Sequence, residues 1–200
     1  LSPARCRLRD PHGLIESNLI CGGRNMLYTF EERTPVVGKS SYVSETAQVI
    51  GDVVIGDSCY IGHGAIIRGD YGRVVIGDGT AVEEGVIIHA PPEHTQIIGK
   101  QVTLGHGAIL HGLEIGDFTV VGMGAILSLF SRTGQWTIVA EGAVVKANQS
   151  IPAMKVAAGN PASVIRDVRP DDQELWTYGK KVYVDLALRY LKSGLKAVSL

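Results

Sequence analysis

Residues 43–67 read VSETAQVIGDVVIGDSCYIGHGAII, and this stretch decides the fold because an aliphatic residue returns at every sixth position. The repeating positions are Val43, Val49, Ile55, Ile61 and Ile67. A six-residue period of short β-branched runs separated by Gly or Asp is typical of a parallel β-helix, in which three hexads make one triangular coil. The sequence therefore predicts an all-β chain whose coils share one core.

The hexad pattern continues beyond residue 67 with breaks in phase. It resumes in three groups and then as a weaker fragment: Ile76, Val82 and Ile88; Ile98, Leu104 and Leu110; Ile115, Val121 and Leu127; Val139 and Val145. Extra residues are expected after Ile67, Ile88 and Leu127, and one residue is missing after Leu110. Grouping the hexads in threes predicts about six coils, with all the irregularities at the same corner.

Four of the six histidines fall between residues 89 and 111. We interpret His89, His106 and His111 as ligands of one metal ion, because three histidines with an open fourth position are typical of catalytic zinc sites. A single histidine at a turn is more often a solvent-exposed corner residue, and His63 and His94 are interpreted in that way. Three histidines in adjoining coils at one loop-bearing corner favour metal binding.

The repeat places the candidate residues in two columns. Arg68, His89 and His111 each follow the aliphatic residue of a third hexad, so they are expected to stack in consecutive coils about 4.8 Å apart. Another column holds His63, Glu84 and His106, two residues after the aliphatic position of a second hexad. His106 and His111 are five steps apart along the chain, at about 3.3 Å per residue. At that separation the two side chains cannot bind one ion within a single chain unless the corner folds back sharply. The simplest arrangement takes His106 from a neighbouring subunit.

Composition limits the remaining classes of function. The chain has 200 residues, 19 basic against 20 acidic residues, and 45% hydrophobic residues, which predicts one globular domain with a sizeable core. No basic stripe indicates nucleic acid, and no apolar run approaches the length of a membrane span. Three scattered cysteines form neither a disulfide framework nor a CxxC pair, and no secretory signal is recognised, so a cytoplasmic protein is expected.

Three segments are expected along the chain: an N-terminal extension at 1–25, the β-helix at 27–165 and a helix at 170–195. The first segment shows neither the hexad nor a helical period, and it precedes Met26. We interpret it either as a non-native leader or as a genuine, disordered extension.

The C-terminal segment has the pattern of one helix. Residues 170–174 read PDDQE, which indicates a helix start with Asp171 as the N-cap. This helix is expected to pack along the outside of the β-helix through an apolar stripe at Leu175, Val182, Leu186 and Tyr190.

Six short motifs occur in order along the chain: IRGD (67–70), IG (76–77), VIIH (86–89), GHGAILHG (105–112), GMGA (122–125) and GNPA (159–162). In this set the chain resembles the gamma-class carbonic anhydrase family of left-handed β-helix proteins, and particularly its bacterial branch of carnitine- and phenylacetate-operon proteins. The resemblance covers roughly residues 28–192. The left-handed sense of the coil is implied by the resemblance, because the hexad period alone does not reveal it.

The resemblance also implies a homotrimer with a metal site at each subunit interface. His89 and His111 would come from one chain and His106 from the next, holding Zn²⁺, with iron or cobalt as alternatives. Arg68 and Asp70 match the family's arginine and aspartate, which pair across the interface and position the site. The implied activity is a lyase reaction that interconverts carbon dioxide and bicarbonate, with no nucleic-acid or membrane partner.

Two positions depart from the family's pattern. Residues 81–84 read AVEE where the family usually has Asn-(Ile/Val)-Gln-Asp, so Glu83 replaces the glutamine that orients the reacting water. Glu83 is therefore a candidate catalytic residue beside Arg68 and Asp70. A carboxylate there opposes the water's loss of a proton, although it could also act as a general base. Tyr71 stands where the best-known active members carry glutamate, so the expected hydration activity is weak.

Two other classes of function stay open. Hexapeptide-repeat folds often host acyl transfer between subunits, so a transferase or thioesterase acting on coenzyme A esters is one alternative, supported by fold analogy. A metal-stabilised assembly subunit without turnover is the other. Bound metal separates a carbonate dehydratase from an ordinary acyltransferase, and a hydration assay separates it from an assembly subunit.

Overall fold

The computed structural model describes residues 8–10, 13–15 and 26–198. Within the first 25 residues it contains one short antiparallel pair, β1 (Leu8–Asp10) and β2 (Gly13–Ile15). The other residues of this segment lie outside the described part of the chain. The interpretation of residues 1–25 as a leader or an extension therefore stays a prediction.

From Leu27 onward the described chain consists of short strands followed by one helix. The strands are β3 (Leu27–Tyr28), β4 (Val36–Val37), β5 (Tyr42–Val43), β6 (Gln48–Ile55), β7 (Tyr60–Ile61), β8 (Ile66–Ile76), β9 (Ala81–Val82), β10 (Ile87–His89), β11 (Thr95–Ile98), β12 (Thr103–Leu104), β13 (Ile109–Leu110), β14 (Glu114–Ile115), β15 (Val120–Val121), β16 (Ile126–Leu127), β17 (Arg132–Thr133), β18 (Ile138–Val139), β19 (Val144–Val145), β20 (Ser150–Ile151), β21 (Lys155–Ala158) and β22 (Ser163–Asp167). The helix is α1 (Pro170–Ser193).

The strands form a left-handed parallel β-helix with three faces, as predicted. The first face orders β4, β6, β8, β11, β14, β17 and β20. The second orders β5, β7, β9, β12, β15, β18 and β21, and β22 adds to it antiparallel. The third orders β3, β6, β8, β10, β13, β16 and β19. The aliphatic hexad positions point inward and make one continuous buried core.

The stack has about seven turns, one more than the sequence predicts. The additional turn contains β20 and β21, where Ile151 and Ala157 continue the inward positions. In the coil before it, Thr133 occupies an inward hexad position although it is not aliphatic. Thr133 pairs with Ile115 in the preceding coil and with Ile151 in the following one. The expectation of extra residues after Leu127 is therefore wrong, because Thr133 follows at the regular spacing of six.

The Thr133 hydroxyl supplies a test of this core. It is buried without a hydrogen-bond partner among the described residues, whereas the buried Thr137 hydroxyl donates to the Pro152 carbonyl at 3.0 Å. Thr133→Val removes an unpaired hydroxyl at nearly constant shape, so we expect the free energy of unfolding to rise by about 1 kcal/mol. The matched Thr137→Val removes the hydrogen bond to the Pro152 carbonyl and should lower the free energy of unfolding by about 1 kcal/mol. Urea unfolding measures both, and a destabilised Thr133→Val protein would contradict this reading.

The helix begins at Pro170, the first residue of the predicted segment, but its N-cap lies two residues earlier than predicted, at Arg169 rather than Asp171. The carboxylate of Asp172 accepts the backbone N–H of Arg169 at 2.8 Å, which satisfies one of the N–H groups that a helix start leaves free. No helix within the described ranges is long and apolar enough to cross a membrane.

Helix α1 packs along the second face, against β5, β7 and β9, as predicted. The predicted apolar stripe is only partly correct, because Leu175 and Val182 are exposed. The helix is rotated so that Lys180, rather than these two residues, is buried. Its contact with the β-helix is largely aromatic and consists of Tyr183, Leu186, Ala187 and Tyr190 against Tyr42, Tyr60 and Ala81.

Candidate functional site

His89 and His111 meet at the corner between the third and first faces. His89 ends β10, where it pairs with Arg68 of β8. Leu110 pairs with Ile88, so His111 follows in the next coil. The two imidazole rings stack with their centroids 5.0 Å apart and an angle of 24° between their planes. The predicted column of Arg68, His89 and His111 is therefore present in the structure.

His111 has an unusual environment for a polar side chain. Its Nε2 is buried and has no hydrogen-bond partner among the described residues. Burial lowers the pKa of His111, and the neighbouring His89 and Arg68 lower it further. The neutral imidazole is the form that binds a metal ion. An unpaired buried nitrogen beside a second imidazole fits the requirements of a metal ligand, because such groups otherwise find a partner.

Arg68 and Asp70 both contact His89. One guanidinium nitrogen of Arg68 lies 3.2 Å from Nε2 and 3.4 Å from Nδ1 of His89, which places the guanidinium over the ring rather than in line with one nitrogen. Asp70 Oδ1 lies 3.0 Å from His89 Nε2, and Asp70 Oδ2 lies 3.5 Å from Arg68 Nη1. Burial raises the pKa of Asp70, but Arg68 and the hydrogen bonds to the carboxylate outweigh this, and the net pKa is lowered.

His106 stands at a different corner, between β12 and β13. Its Nε2 lies 3.1 Å from Glu83 Oε2 and its Nδ1 lies 2.7 Å from Glu84 Oε2. The backbone N–H of Gly107 donates to the carbonyl of Glu84, so Glu84 and His106 occupy one column, as predicted. Among residues 26–198, no three His, Cys, Asp or Glu side chains come close enough to hold one metal ion. His106 does not join His89 and His111 within a single chain.

The two carboxylates beside His106 differ electrostatically. Burial raises the pKa of Glu83, and hydrogen bonding from Tyr183 together with the nearby His106 only partly opposes this. Burial also acts to raise the pKa of Glu84, but a hydrogen bond from the Tyr60 hydroxyl at 2.7 Å and the attraction of His106 make the net shift downward. Glu84 therefore stays the more strongly anionic of the pair.

Several residues at this site could not be found from the sequence. Tyr60 and Tyr183 contact the two glutamates from β7 and from α1. Arg33, in the turn before β4, donates to the Asp70 carbonyl at 2.8 Å. His63, interpreted as a surface residue, lies 2.6 Å from the hydroxyl of the buried Ser44. No short motif marks these residues, because each reaches its partner through the stacking of coils or the docking of the helix.

An open groove of about 500 Å³ runs along the third face beside the two stacked histidines. Arg68, His89 and His111 line one side of it. Apart from Gln48, the rest of the groove is apolar and includes a ladder of isoleucines from successive coils at Ile66, Ile87 and Ile109. Ile87 and Ile109 are 39% and 41% exposed. An apolar ladder of this kind next to polar site residues is the composition expected of a surface that another chain covers.

Comparisons with known proteins identify the family. No protein-family model matches the chain. The chain is 40% identical over 164 residues to the carnitine operon protein CaiE of Salmonella agona, covering 81% of this chain and 82% of that protein. It is 32% identical over 200 residues to the mitochondrial gamma carbonic anhydrase 1 of Arabidopsis thaliana, covering 97% of this chain and 72% of that protein.

Solved structures agree with the fold. A putative acetyltransferase of Bacillus cereus is 29% identical, with a TM-score of 0.81 over 83% of this chain and 96% of that one. A hexapeptide transferase family protein of Anaplasma phagocytophilum is 27% identical, with a TM-score of 0.78 over 82% of this chain and 97% of that one. The resemblance drawn from the short motifs is confirmed, and the chain belongs to the family of gamma carbonic anhydrase-like hexapeptide-repeat proteins that includes CaiE.

Proposed function

We propose that this protein is a metal-dependent carbonate dehydratase that interconverts carbon dioxide and bicarbonate. The observation that carries the proposal is the buried Nε2 of His111, which has no partner among the described residues and lies beside the ring of His89. An imidazole pair of this kind has no evident role in packing, and it would supply two of the three nitrogen ligands of a catalytic zinc site. The relationship to a plant gamma carbonic anhydrase supports the same reaction class.

The third ligand would be His106 of a neighbouring subunit, in a homotrimer with one site at each interface. The distance along the coil between His106 and His111 supports this arrangement, and so does the exposed isoleucine ladder beside His89 and His111. Zn²⁺ is the proposed ion, with iron or cobalt as alternatives. The bound ion would supply Lewis-acid activation of a water molecule.

The residues around the three histidines would orient them and handle protons. Glu84 Oε2 lies 2.7 Å from Nδ1 of His106 and would accept a hydrogen bond from it, which would leave Nε2 as the ligating nitrogen in place of its contact with Glu83. Glu83 would then lie beside the reacting centre, where a carboxylate of raised pKa can hold a water molecule and accept its proton. Arg68 and Asp70 hold the His89 ring and would position it at the interface.

A second class of function has its own support. The two solved structures most informative about the fold are described as transferases, so turnover of coenzyme A esters is the alternative. A third possibility is an assembly subunit that holds metal without turnover. The three differ in their dependence on metal, which makes them separable by experiment.

The test is elemental analysis of purified protein together with stopped-flow hydration of carbon dioxide. We expect about one metal ion per chain, and hydration that a chelator abolishes and added Zn²⁺ restores. His111→Ala should lose the metal, while His94→Ala, outside the proposed ligand set, should keep it. Absence of stoichiometric zinc, iron or cobalt after reconstitution would contradict the site. Metal without hydration would favour the assembly subunit, and chelator-insensitive hydrolysis of acetyl-coenzyme A would favour the acyl-transfer class.

A further inference from the structure

Lys180 is the most unusual buried side chain outside the proposed metal site. It lies on α1 and is only 2% exposed. Its Nζ donates to Thr103 Oγ1 at 3.2 Å and, at the limit of a hydrogen bond, to the Thr119 carbonyl at 3.5 Å. No carboxylate of the described chain lies within 4.0 Å of it. A lysine that is buried without an ion pair is rare, because an ammonium loses its hydration and gains no opposite charge.

The surroundings of Lys180 suit an amine better than an ammonium. An ammonium has three N–H donors, and only two acceptors of the described chain reach Nζ, one of them weakly. The Trp176 ring lies 5.8 Å away, at the outer limit of a cation–π contact. Glu83 is the ionisable group of the adjoining coils that acts on Lys180, and its charge favours the ammonium without offsetting the burial. Tyr183 of the same helix faces Glu83 rather than Lys180.

We propose that Lys180 is a positioning residue that latches α1 onto the β-helix as the uncharged amine, so that acidification loosens the helix. The same helix carries Tyr183, which hydrogen-bonds Glu83, and Tyr190, which stacks on Tyr42 with ring centroids 4.5 Å apart. When α1 packs less firmly on the β-helix, Glu83 therefore loses its contact with Tyr183. That consequence for catalysis rests on the proposed function, whereas the latch itself does not.

The direction of the pH effect follows from the two states of Lys180. Burial lowers the pKa of docked Lys180 to about 7, and release returns it toward its ordinary value of 10.5. Between these pH values the released lysine binds a proton that the docked lysine does not. Docking therefore weakens as the pH falls from about 10.5 to about 7. Below about 7 both states are protonated, so no further loss from this group is expected.

The first measurement compares wild type with Lys180→Met, which replaces the amine with an apolar side chain of similar length. Urea unfolding at one protein concentration gives the unfolding equilibrium constant of each protein across pH 6 to 10. As the pH rises from about 7.5 to about 9.5, we expect the ratio of the wild-type unfolding constant to the variant constant to fall about tenfold per pH unit. Below about pH 6.5 the ratio should not change with pH. Lys181→Met, at an exposed neighbour, should give a ratio that does not change with pH. A pH-independent ratio for Lys180→Met would overturn the proposal.

The second measurement locates the effect at the helix. In a Trp136→Phe background the remaining tryptophan is Trp176, one turn before Lys180. Acrylamide quenching of Trp176 should increase from pH 9 to pH 6.5, and it should be independent of pH when Lys180→Met is added. Quenching that does not change with pH in the Trp136→Phe protein would overturn the latch, including where Lys180→Met fails to fold. Neither readout depends on metal or turnover, so a failure of the proposed function leaves this test intact.

Discussion

Co-refolding His106→Ala chains with His89→Ala chains should restore metal to about a quarter of the sites, although neither variant alone binds it. A His106→Ala chain keeps an intact half-site of His89 and His111, and a His89→Ala chain keeps an intact His106. In a randomly mixed trimer, each interface has about one chance in four of placing the two intact halves together. A site contained in one chain cannot recover, because every chain in the mixture lacks a ligand.

The matched control for this experiment mixes His89→Ala with His111→Ala. Both variants are defective in the same half-site, which no partner can complete, so no metal should return. Metal bound per chain is measured after confirming that each sample has refolded to a trimer. Recovery in the control, or none in the first mixture, would refute the shared site and the distance argument that separates His106 from His111.

Glu84→Gln should weaken metal binding by about 10- to 100-fold while leaving all three histidines in place. Glu84 Oε2 lies 2.7 Å from His106 Nδ1, and Glu84 Oε1 accepts a hydrogen bond from the Tyr60 hydroxyl at 2.7 Å. The carboxylate thus selects the tautomer in which Nε2 of His106 can ligate and makes the ring a better donor. Glutamine keeps the shape but removes the charge, so this selection weakens. Competition with a chelator of known affinity measures the loss.

Glu141→Gln provides the matched control for the Glu84 substitution. Gly124 donates to the His106 carbonyl and Gly142 donates to the Met123 carbonyl, so Glu141 stands in the same column two coils beyond His106. The Glu141→Gln substitution makes the same change of charge as Glu84→Gln, at the same position of the turn. Because Glu141 is two coils away from His106, the metal affinity should not change. Equal losses in both variants would indicate a general electrostatic effect, and no loss in Glu84→Gln would remove Glu84 from the site.

The periodic part of this protein was predictable from local pattern. An inward aliphatic residue every six positions is a property of the chain itself, and it yields the three faces, the parallel ladders and the column that stacks His89 on His111. The same count separates Glu84 and His106 from that column. The pattern failed at Thr133, because the stack requires a side chain of suitable size at that position and does not require it to be aliphatic.

The tertiary structure decided what depends on contacts between distant segments. Helical periodicity leaves the rotation of α1 open by a residue or two. The docked orientation buries Lys180 and half-buries Tyr183, and it leaves Leu175 and Val182 exposed to solvent. The unpaired Nε2 of His111 follows from the absence of an acceptor in the neighbouring coils of the described chain, which no single hexad reveals. The sequence by itself determined the coil and the order of its histidine columns, since each is set by neighbours one period away. The contacts of Glu83 and the burial of Lys180 depend on the orientation in which α1 docks on the β-helix. Shape complementarity over the whole second face determines that orientation.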